Sequence, residues 1–145
     1  MKLFDVNPLI YAFREDSTQH REHRAAVLAV VNGDEEFSAP DIVLAAVLRI
    51  CTNPRVYRVP SDMNEAIAFA NALRASPAFR EVRSDHRQWD VFTDLCSRPG
   101  VFGGHVTDAL IASFAITSDA DLITSDRAMG RFPGLRVRHP FDPAG

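Results

Sequence analysis

Along the chain, short continuous runs of apolar residues alternate with longer segments in which apolar residues recur at helical spacing. The short runs are typical of buried parallel strands and predict strands at 2–6, 36–38, 79–82, 122–124 and 135–137. The longer segments predict helices at 8–14, 18–31, 42–51, 62–75, 86–96 and 108–118. Strands that alternate with helices favour a three-layer α/β/α architecture with a central, mostly parallel sheet.

The length and composition are those of one ordinary globular domain. The chain has 145 residues, of which 46% are hydrophobic and 24% are charged. A chain of this size buries about two-thirds of its unfolded surface. Since no repeat, low-complexity segment or linker divides the sequence, we expect a single domain that spans residues 1–145.

Two features of the sequence bear on where the protein resides. No apolar run approaches the roughly 18 residues that cross a bilayer, and the N-terminus enters a strand without a signal-peptide pattern. Cys51 and Cys96 lie far apart in apolar helical segments and form no CxxC motif, which is typical of buried, reduced thiols. We therefore expect a cytoplasmic protein with no membrane partner.

The charge pattern leaves the question of nucleic-acid binding open. The formal net charge of −3 is not typical of a nucleic-acid-binding protein, but Lys2 is the only lysine and every other basic side chain is arginine, histidine aside. The planar guanidinium suits bidentate contacts with phosphate. A genome rich in G and C explains the same bias equally well.

Three aspartates occupy positions where an α/β protein binds its ligands. Asp5 lies near the end of the first predicted strand, Asp108 opens a predicted helix, and Asp126 follows the strand predicted at 122–124. Ligands bind beyond the carboxyl ends of parallel strands, so we expect these carboxylates to converge. Clustered carboxylates repel one another, and a bound Mg²⁺ or Mn²⁺ relieves the repulsion. The pattern predicts a metal-dependent phosphoryl-transfer site with these three catalytic, metal-binding residues.

Each aspartate also has an ordinary structural explanation. Asp5 can face solvent at a strand end, the helix macrodipole can favour Asp108, and Asp126 can be a turn residue. The joint pattern is harder to explain in this way, because an acid inside an apolar strand costs burial energy unless it has a partner. Two polar residues are predicted to support the site. They are Asn7, on the same side of the extended strand as Asp5, and Thr124, whose hydroxyl orients Asp126.

Five segments in a fixed order carry a resemblance to a known family. They are LFDVN at 3–7, LRICTNPR at 48–55, TDALIA at 107–112, TSDR at 124–127 and RFPGL at 131–135. Their order and spacing resemble the PIN-domain ribonucleases, specifically the VapC-type toxins of bacterial type II toxin–antitoxin systems. The resemblance covers nearly the whole chain, and its middle and last segments look like the actinobacterial branch of that family.

This resemblance implies a PIN-like domain that acts as a metal-dependent endoribonuclease, in which Asp5, Asp108 and Asp126 bind Mg²⁺ or Mn²⁺. It implies that RNA is the substrate and that hydrolysis of a phosphodiester bond leaves a 5′-phosphate and a 3′-hydroxyl. It also implies a cognate VapB-type antitoxin as partner and a homodimer. The alternative is a degenerate, non-catalytic PIN domain that acts as a protein-binding module.

The helix predicted at 42–51 carries the remaining candidate residues. Relatives have a glutamate on this helix, and by alignment this chain has Ala46 there instead. Asp41, just upstream, is a candidate to compensate, although it is also well placed to be the N-cap. Arg49 and Asn53 are predicted to bind substrate, with Arg49 clamping a phosphate. The alternative is that Arg49 is a surface residue whose stem covers apolar area.

Overall fold

Four short parallel strands form the central sheet in the computed structural model, which describes residues 1–143. The strands are β1 (Lys2–Phe4), β2 (Phe37–Ser38), β3 (Asp121–Ile123) and β4 (Arg136–Arg138). They follow the order β2-β1-β3-β4 across the sheet, so β1 and β3 are the inner strands. Leu3 of β1 pairs with Ser38 on one side and with Leu122 on the other.

Within residues 1–143, six α-helices and one short 3-10 turn accompany the sheet. The helices are α1 (Val6–Phe13), α2 (His20–Val31), α3 (Asp41–Cys51), α4 (Met63–Arg74), α5 (His86–Cys96) and α6 (Gly104–Thr117), and the 3-10 turn is Arg127–Arg131. No helix within residues 1–143 combines the length and the apolar character needed to cross a membrane. The predicted three-layer α/β/α architecture is confirmed, and every strand pair in the described sheet is parallel.

The hydrophobic core is centred on the two inner strands. Leu3, Phe4 and Leu122 are almost completely buried, and the ring of Phe37 packs edge-to-face against Phe4 with 6.0 Å between ring centroids. Burial of each such side chain contributes about 1.5–3 kcal/mol. Inner strands of a parallel sheet are covered on both faces, which explains why these segments are continuous apolar runs in the sequence.

The strand predicted at 79–82 is wrong. Phe79 forms a single parallel bridge with Phe37, in which the amide of Phe37 donates to the carbonyl of Ala78 and the amide of Arg80 donates to the carbonyl of Phe37. Because β2 is only two residues long, it offers no further partner for the residues beyond Arg80. The apolar pattern therefore marks an extended edge segment and not a fifth strand.

The first strand is also shorter than predicted. Asp5 follows β1 with extended backbone angles (φ −78°, ψ 172°) and is the N-cap of α1. Its Oδ1 accepts a hydrogen bond of 2.7 Å from the amide of Val6. This cap starts the helix at Val6, so the prediction of strand structure through Val6 is wrong.

A buried arginine fixes the loop that follows α3 to the end of α1. Arg14, which is only 8% exposed, caps α1 and donates to both carboxylate oxygens of Asp16. It also donates to the Ser61 hydroxyl at 2.9 Å and to the Val59 carbonyl at 3.0 Å. Its guanidinium carbon lies 3.6 Å from the centroid of the Tyr57 ring. These contacts hold the loop between α3 and α4 in one position relative to α1.

The two cysteines are free thiols. Cys51 is buried, and burial raises the pKa of its thiol to about 11. A thiol with this pKa is protonated at neutral pH and is a poor nucleophile. Cys96 is half-buried, which is more exposed than the sequence predicts.

An aspartate at the start of β3 ties the edge strand β4 to the sheet. Asp121 accepts hydrogen bonds of 2.6 Å from the Nε atoms of both Arg136 and Arg138. Burial alone would raise the pKa of Asp121, but these hydrogen bonds outweigh it and hold the pKa below its usual value. The carboxylate is thus stabilised in its charged form in the folded protein.

We expect Asp121→Asn to lower the free energy of unfolding at pH 7 by about 1 kcal/mol, because it removes a charged acceptor shared by two arginines. The folded pKa of Asp121 is depressed, so its contribution is complete above the unfolded pKa and is lost as the pH falls through the folded pKa. Urea unfolding at pH 7 and near pH 2 measures this. The exposed Asp34→Asn is the matched control, and an equal loss in both variants would contradict the role of Asp121.

Candidate active site

Asp5 is the only buried acidic side chain within residues 1–143, with 7% of its surface exposed. Its amide donates to the carbonyl of Ile123 at 2.9 Å. Its Oδ1 accepts from the amide of Val6, and its Oδ2 accepts from the hydroxyl of Thr124 at 2.7 Å. The carboxylate is therefore held at the carboxyl ends of β1 and β3, where α/β proteins bind ligands.

The other two predicted carboxylates affect Asp5 electrostatically. Burial is the main cause that raises the pKa of Asp5 above its ordinary value, and the hydrogen bonds from Thr124 and Val6 offset part of this. The negative charges of Asp108 and Asp126 raise the pKa further. The fold thus brings the three aspartates into one electrostatic environment, although 103 residues separate the first from the second.

Asp108 lies inside α6 and not at its start. The helix begins at Gly104 after Gly103, whose φ of +57° favours glycine, so Asp108 is in the second turn. The helix-start explanation for this acid is therefore wrong, because the macrodipole effect is strongest in the first turn. Its Oδ2 forms an ion pair of 3.2 Å with Nη2 of Arg131.

Asp126 and Thr124 link the end of β3 to the 3-10 turn. Asp126 is the N-cap of that turn, and its Oδ1 accepts from the amide of Ala128 at 2.9 Å. The buried Thr124 hydroxyl accepts from the amide of Asp126 at 3.0 Å while it donates to Asp5. Thr124 thus orients the backbone of Asp126, as a supporting residue would, but the carboxylate that it contacts is that of Asp5.

Asn7 does not share a strand face with Asp5. It lies in the first turn of α1, because the Asp5 cap ends the extended backbone before Val6. The side-chain alternation on which the prediction for Asn7 relied is therefore wrong. Asn7 remains next to the site along the chain and is partly exposed.

Asp41 does not occupy the position of the glutamate expected at Ala46. Pro40 is the N-cap of α3, and Asp41 makes no capping hydrogen bond, so the capping interpretation is also wrong. The exposed carboxylate of Asp41 pairs with Arg74 at 3.2 Å. Positions 41 and 46 are five residues apart in sequence, which places them about 140° apart around the helix axis. Ala46 is buried, whereas Asp41 points to solvent.

The two predicted substrate-binding residues differ in whether their side chains already have a hydrogen-bond partner. Arg49 is exposed on α3 and has no hydrogen-bond or ion-pair partner among the described residues, so its guanidinium is available to an anion. Asn53 follows α3, and its Oδ1 accepts from the amide of Arg55 at 2.9 Å. This bond is a local turn interaction that shapes the loop.

Two further residues lie beside the site. Arg131 reaches Asp108 from the 3-10 turn, a contact that no pattern in the sequence indicates. His23 is buried on α2, with Nε2 lying 3.3 Å from the hydroxyl of Ser125. Its spacing of four residues from the buried Val27 is the sequence signal that places it on the inner face of that helix.

The three aspartates have the carboxylate oxygens that a hard divalent cation prefers, but their side chains are not grouped around one position. Carboxylate oxygens are the ligands that Mg²⁺ and Mn²⁺ prefer. Within residues 1–143, no three acidic, histidine or cysteine side chains lie close enough together to enclose a metal ion. Asp108 is turned to Arg131, while Asp5 is fixed by Thr124. The types of residue therefore match the predicted metal site. The distances between their side chains do not match it, because the side chains do not enclose an ion.

Comparison with solved structures supports the same fold. VapBC2 from Rickettsia felis, bound to a DNA fragment from its promoter, aligns with a TM-score of 0.69 and 16% identity over 95% of this chain and 97% of that chain. The sarcin-ricin loop cleaving toxin VapC20 of Mycobacterium tuberculosis aligns with a TM-score of 0.66 and 14% identity, over 94% and 99%. At these identities the similarity shows the fold alone.

Comparison of sequences identifies the family. The PIN domain model matches residues 2–135. VapC ribonuclease Mb2897 of Mycobacterium bovis and Ribonuclease VapC43 of M. tuberculosis are each 37% identical over 142 residues, which cover 98% of this chain and 97% of the relative. Ribonuclease VapC31 of M. tuberculosis is 32% identical, with 97% and 100% covered. The resemblance found in the sequence motifs is confirmed, and the chain belongs to the PIN domain family, in the branch of the VapC proteins.

Proposed function

We propose that this chain is a metal-dependent endoribonuclease that acts as the toxin of a type II toxin–antitoxin system. The observation that carries the proposal is the buried Asp5, fixed by Thr124 and Val6 and exposed to the charges of two further aspartates. The relatives at 32–37% identity are named ribonucleases. The active unit is one domain over residues 1–145, whose last two residues lie outside the described part of the chain.

Asp5, Asp108 and Asp126 are the residues that would hold the metal, and Mg²⁺ or Mn²⁺ suits their oxygen ligands. When bound, the ion supplies an activated water and offsets the charge that develops on the scissile phosphate. Each carboxylate oxygen of Asp5 accepts one hydrogen bond from the protein and keeps a lone pair for a ligand. Thr124 and Val6 thus position the Asp5 carboxylate and leave it able to bind a metal ion.

RNA binding is assigned to the arginine-bearing surface of α3. Arg49 has an unengaged guanidinium, which suits contact with a backbone phosphate. Asn53 acts through the turn that it stabilises with Arg55, and so through the shape of the loop. This division gives Arg49 a direct role and Asn53 an indirect one.

The partners are RNA and a VapB-type antitoxin, and the assembly is a homodimer in the cytoplasm. The antitoxin is supported by the fold, which resembles VapBC2 and a toxin–antitoxin complex from Klebsiella pneumoniae. Exposed aromatic side chains such as Trp89 and Phe102 are suited to a protein interface and support self-association. RNA in the cytoplasm is the substrate pool for such an enzyme.

A non-catalytic protein-binding module is the second candidate function. It is favoured by Ala46, which removes one carboxylate from the family pattern, and by the open arrangement of the acids in residues 1–143. A binding module needs no metal and does not cut RNA. Cleavage of RNA therefore separates the two candidates.

We expect purified protein to cleave total cellular RNA with Mg²⁺ or Mn²⁺ and not with EDTA, and we expect Asp5→Asn to lower the rate by at least about 100-fold, as loss of one catalytic electrostatic contact typically does. Asp5→Asn keeps the size of the side chain and removes its charge. The exposed Asp34→Asn is the control and is expected to cleave normally. A folded wild type without cleavage would favour the binding module.

We expect Thr124→Val to lower both stability and cleavage. The change keeps the shape of the side chain but leaves Oδ2 of Asp5 and the amide of Asp126 each without the hydrogen-bond partner that Thr124 provides, which costs about 1–3 kcal/mol. Urea unfolding and the cleavage rate with saturating metal measure the two effects. Thr124→Ser retains the hydroxyl and is expected to recover most of both, whereas equal loss in both variants would assign Thr124 a packing role alone.

A further inference from the structure

We propose that Arg131 is an internal counterion that competes with the divalent ion for Asp108 and contacts the RNA phosphate once the ion has displaced it. The inference rests on the proposed function, because it concerns the same site. It explains why the acids of residues 1–143 do not enclose a metal in this conformation. One carboxylate of the set is engaged by the protein's own cation.

The ion pair between Arg131 and Asp108 is suited to exchange. Its N–O distance is 3.2 Å, and the side chains of Arg131 and Asp108 are 35% and 33% exposed. The pair has one short contact and is not bidentate. Partly exposed pairs of this kind contribute little to stability, so a divalent ion can replace the guanidinium at small cost.

Arg131 is held beside the site by contacts that do not involve Asp108. Its Nη1 donates to the carbonyl of Ala128 at 2.7 Å. Its guanidinium carbon lies 4.5 Å from the ring centroid of the buried Phe132. These two contacts keep the guanidinium at the edge of the site after Asp108 turns away, and only Nη2 then loses its partner.

The charge balance favours this exchange. Asp5, Asp108 and Asp126 carry three negative charges, of which a divalent ion offsets two and Arg131 offsets one. With the ion on the carboxylates, Arg131 keeps a positive charge beside the position of the substrate. Guanidinium donors bind phosphate oxygens strongly, so the freed Nη2 has a ligand of suitable chemistry in the RNA backbone.

The surface next to Arg131 has room for such a ligand. A cleft of about 200 Å³ adjoins Arg131 and Phe132 and is also lined by Gly100 and His105. Arg98 also lines this cleft. A phosphate in the cleft would meet two arginine side chains, Arg98 and Arg131, of which Arg131 contacts Asp108.

The experiment titrates Mn²⁺ into RNA-free protein by calorimetry. We expect Arg131→Gln to bind Mn²⁺ about two- to fivefold more tightly than the wild type, because the competing cation is gone. We expect the same variant to show a several-fold higher KM for RNA, since it lacks the phosphate contact. Arg127→Gln is the matched control, because Arg127 lies on the same turn, is 72% exposed, and approaches Asp142 only to 3.8 Å.

Arg131→Lys keeps the positive charge, and we expect it to bind Mn²⁺ with nearly the wild-type affinity. This second variant at the same position controls for a folding defect in Arg131→Gln. Unchanged Mn²⁺ affinity in a folded Arg131→Gln would overturn the inference and leave the proposed function intact. An equal gain in Arg127→Gln would also overturn it, because the effect would then be one of net charge. A wild type that binds no Mn²⁺ would overturn both the inference and the proposed function.

Discussion

The hydrogen bonds of Asp5 are the interaction on which the rest of the structure depends. Its backbone amide pairs β1 with β3, its Oδ1 starts α1, and its Oδ2 takes the hydroxyl of Thr124. The residue thus ends the central strand, begins the first helix and joins the neighbouring strand. A buried carboxylate is unfavourable unless such partners satisfy it. The core and the candidate active site are therefore organised by the same side chain, which ties correct folding to correct placement of the acid.

The negative charge of the three aspartates at the site is only partly neutralised by neighbouring cations. Asp108 has Arg131, whereas Asp5 relies on neutral donors and feels the repulsion of both other aspartates. The 3-10 turn that Asp126 caps is also the element that presents Arg131. One short segment thus supplies both an anionic and a cationic group to the same region. This arrangement favours the arrival of a cation, because the negative charge near Asp5 exceeds what the protein itself neutralises.

The sequence was sufficient to predict the architecture and the proximity of the three aspartates, because burial of parallel strands produces continuous apolar runs and ligand sites follow strand ends. The metal-binding role of these aspartates stays a prediction. The sequence was insufficient where an outcome depends on the length or cap of a neighbouring element. The segment after Phe79 lacks a partner because β2 is short, and Asn7 is helical because Asp5 acts as a cap. The contact of Arg131 with Asp108 joins residues 23 positions apart, and only the path of the turn brings it about.

The first helix carries charged groups at both of its ends. Asp5 anchors its start to the sheet, and Arg14 anchors its end to the loop after α3. With eight residues, α1 is about 12 Å long. It therefore acts as a rigid spacer that sets how far that loop stands from the carboxylates. An RNA strand that contacted both the carboxylates and this loop would have to span this fixed distance. The length of α1, and not the conformation of the loop, therefore sets how far the bound RNA extends from the scissile bond.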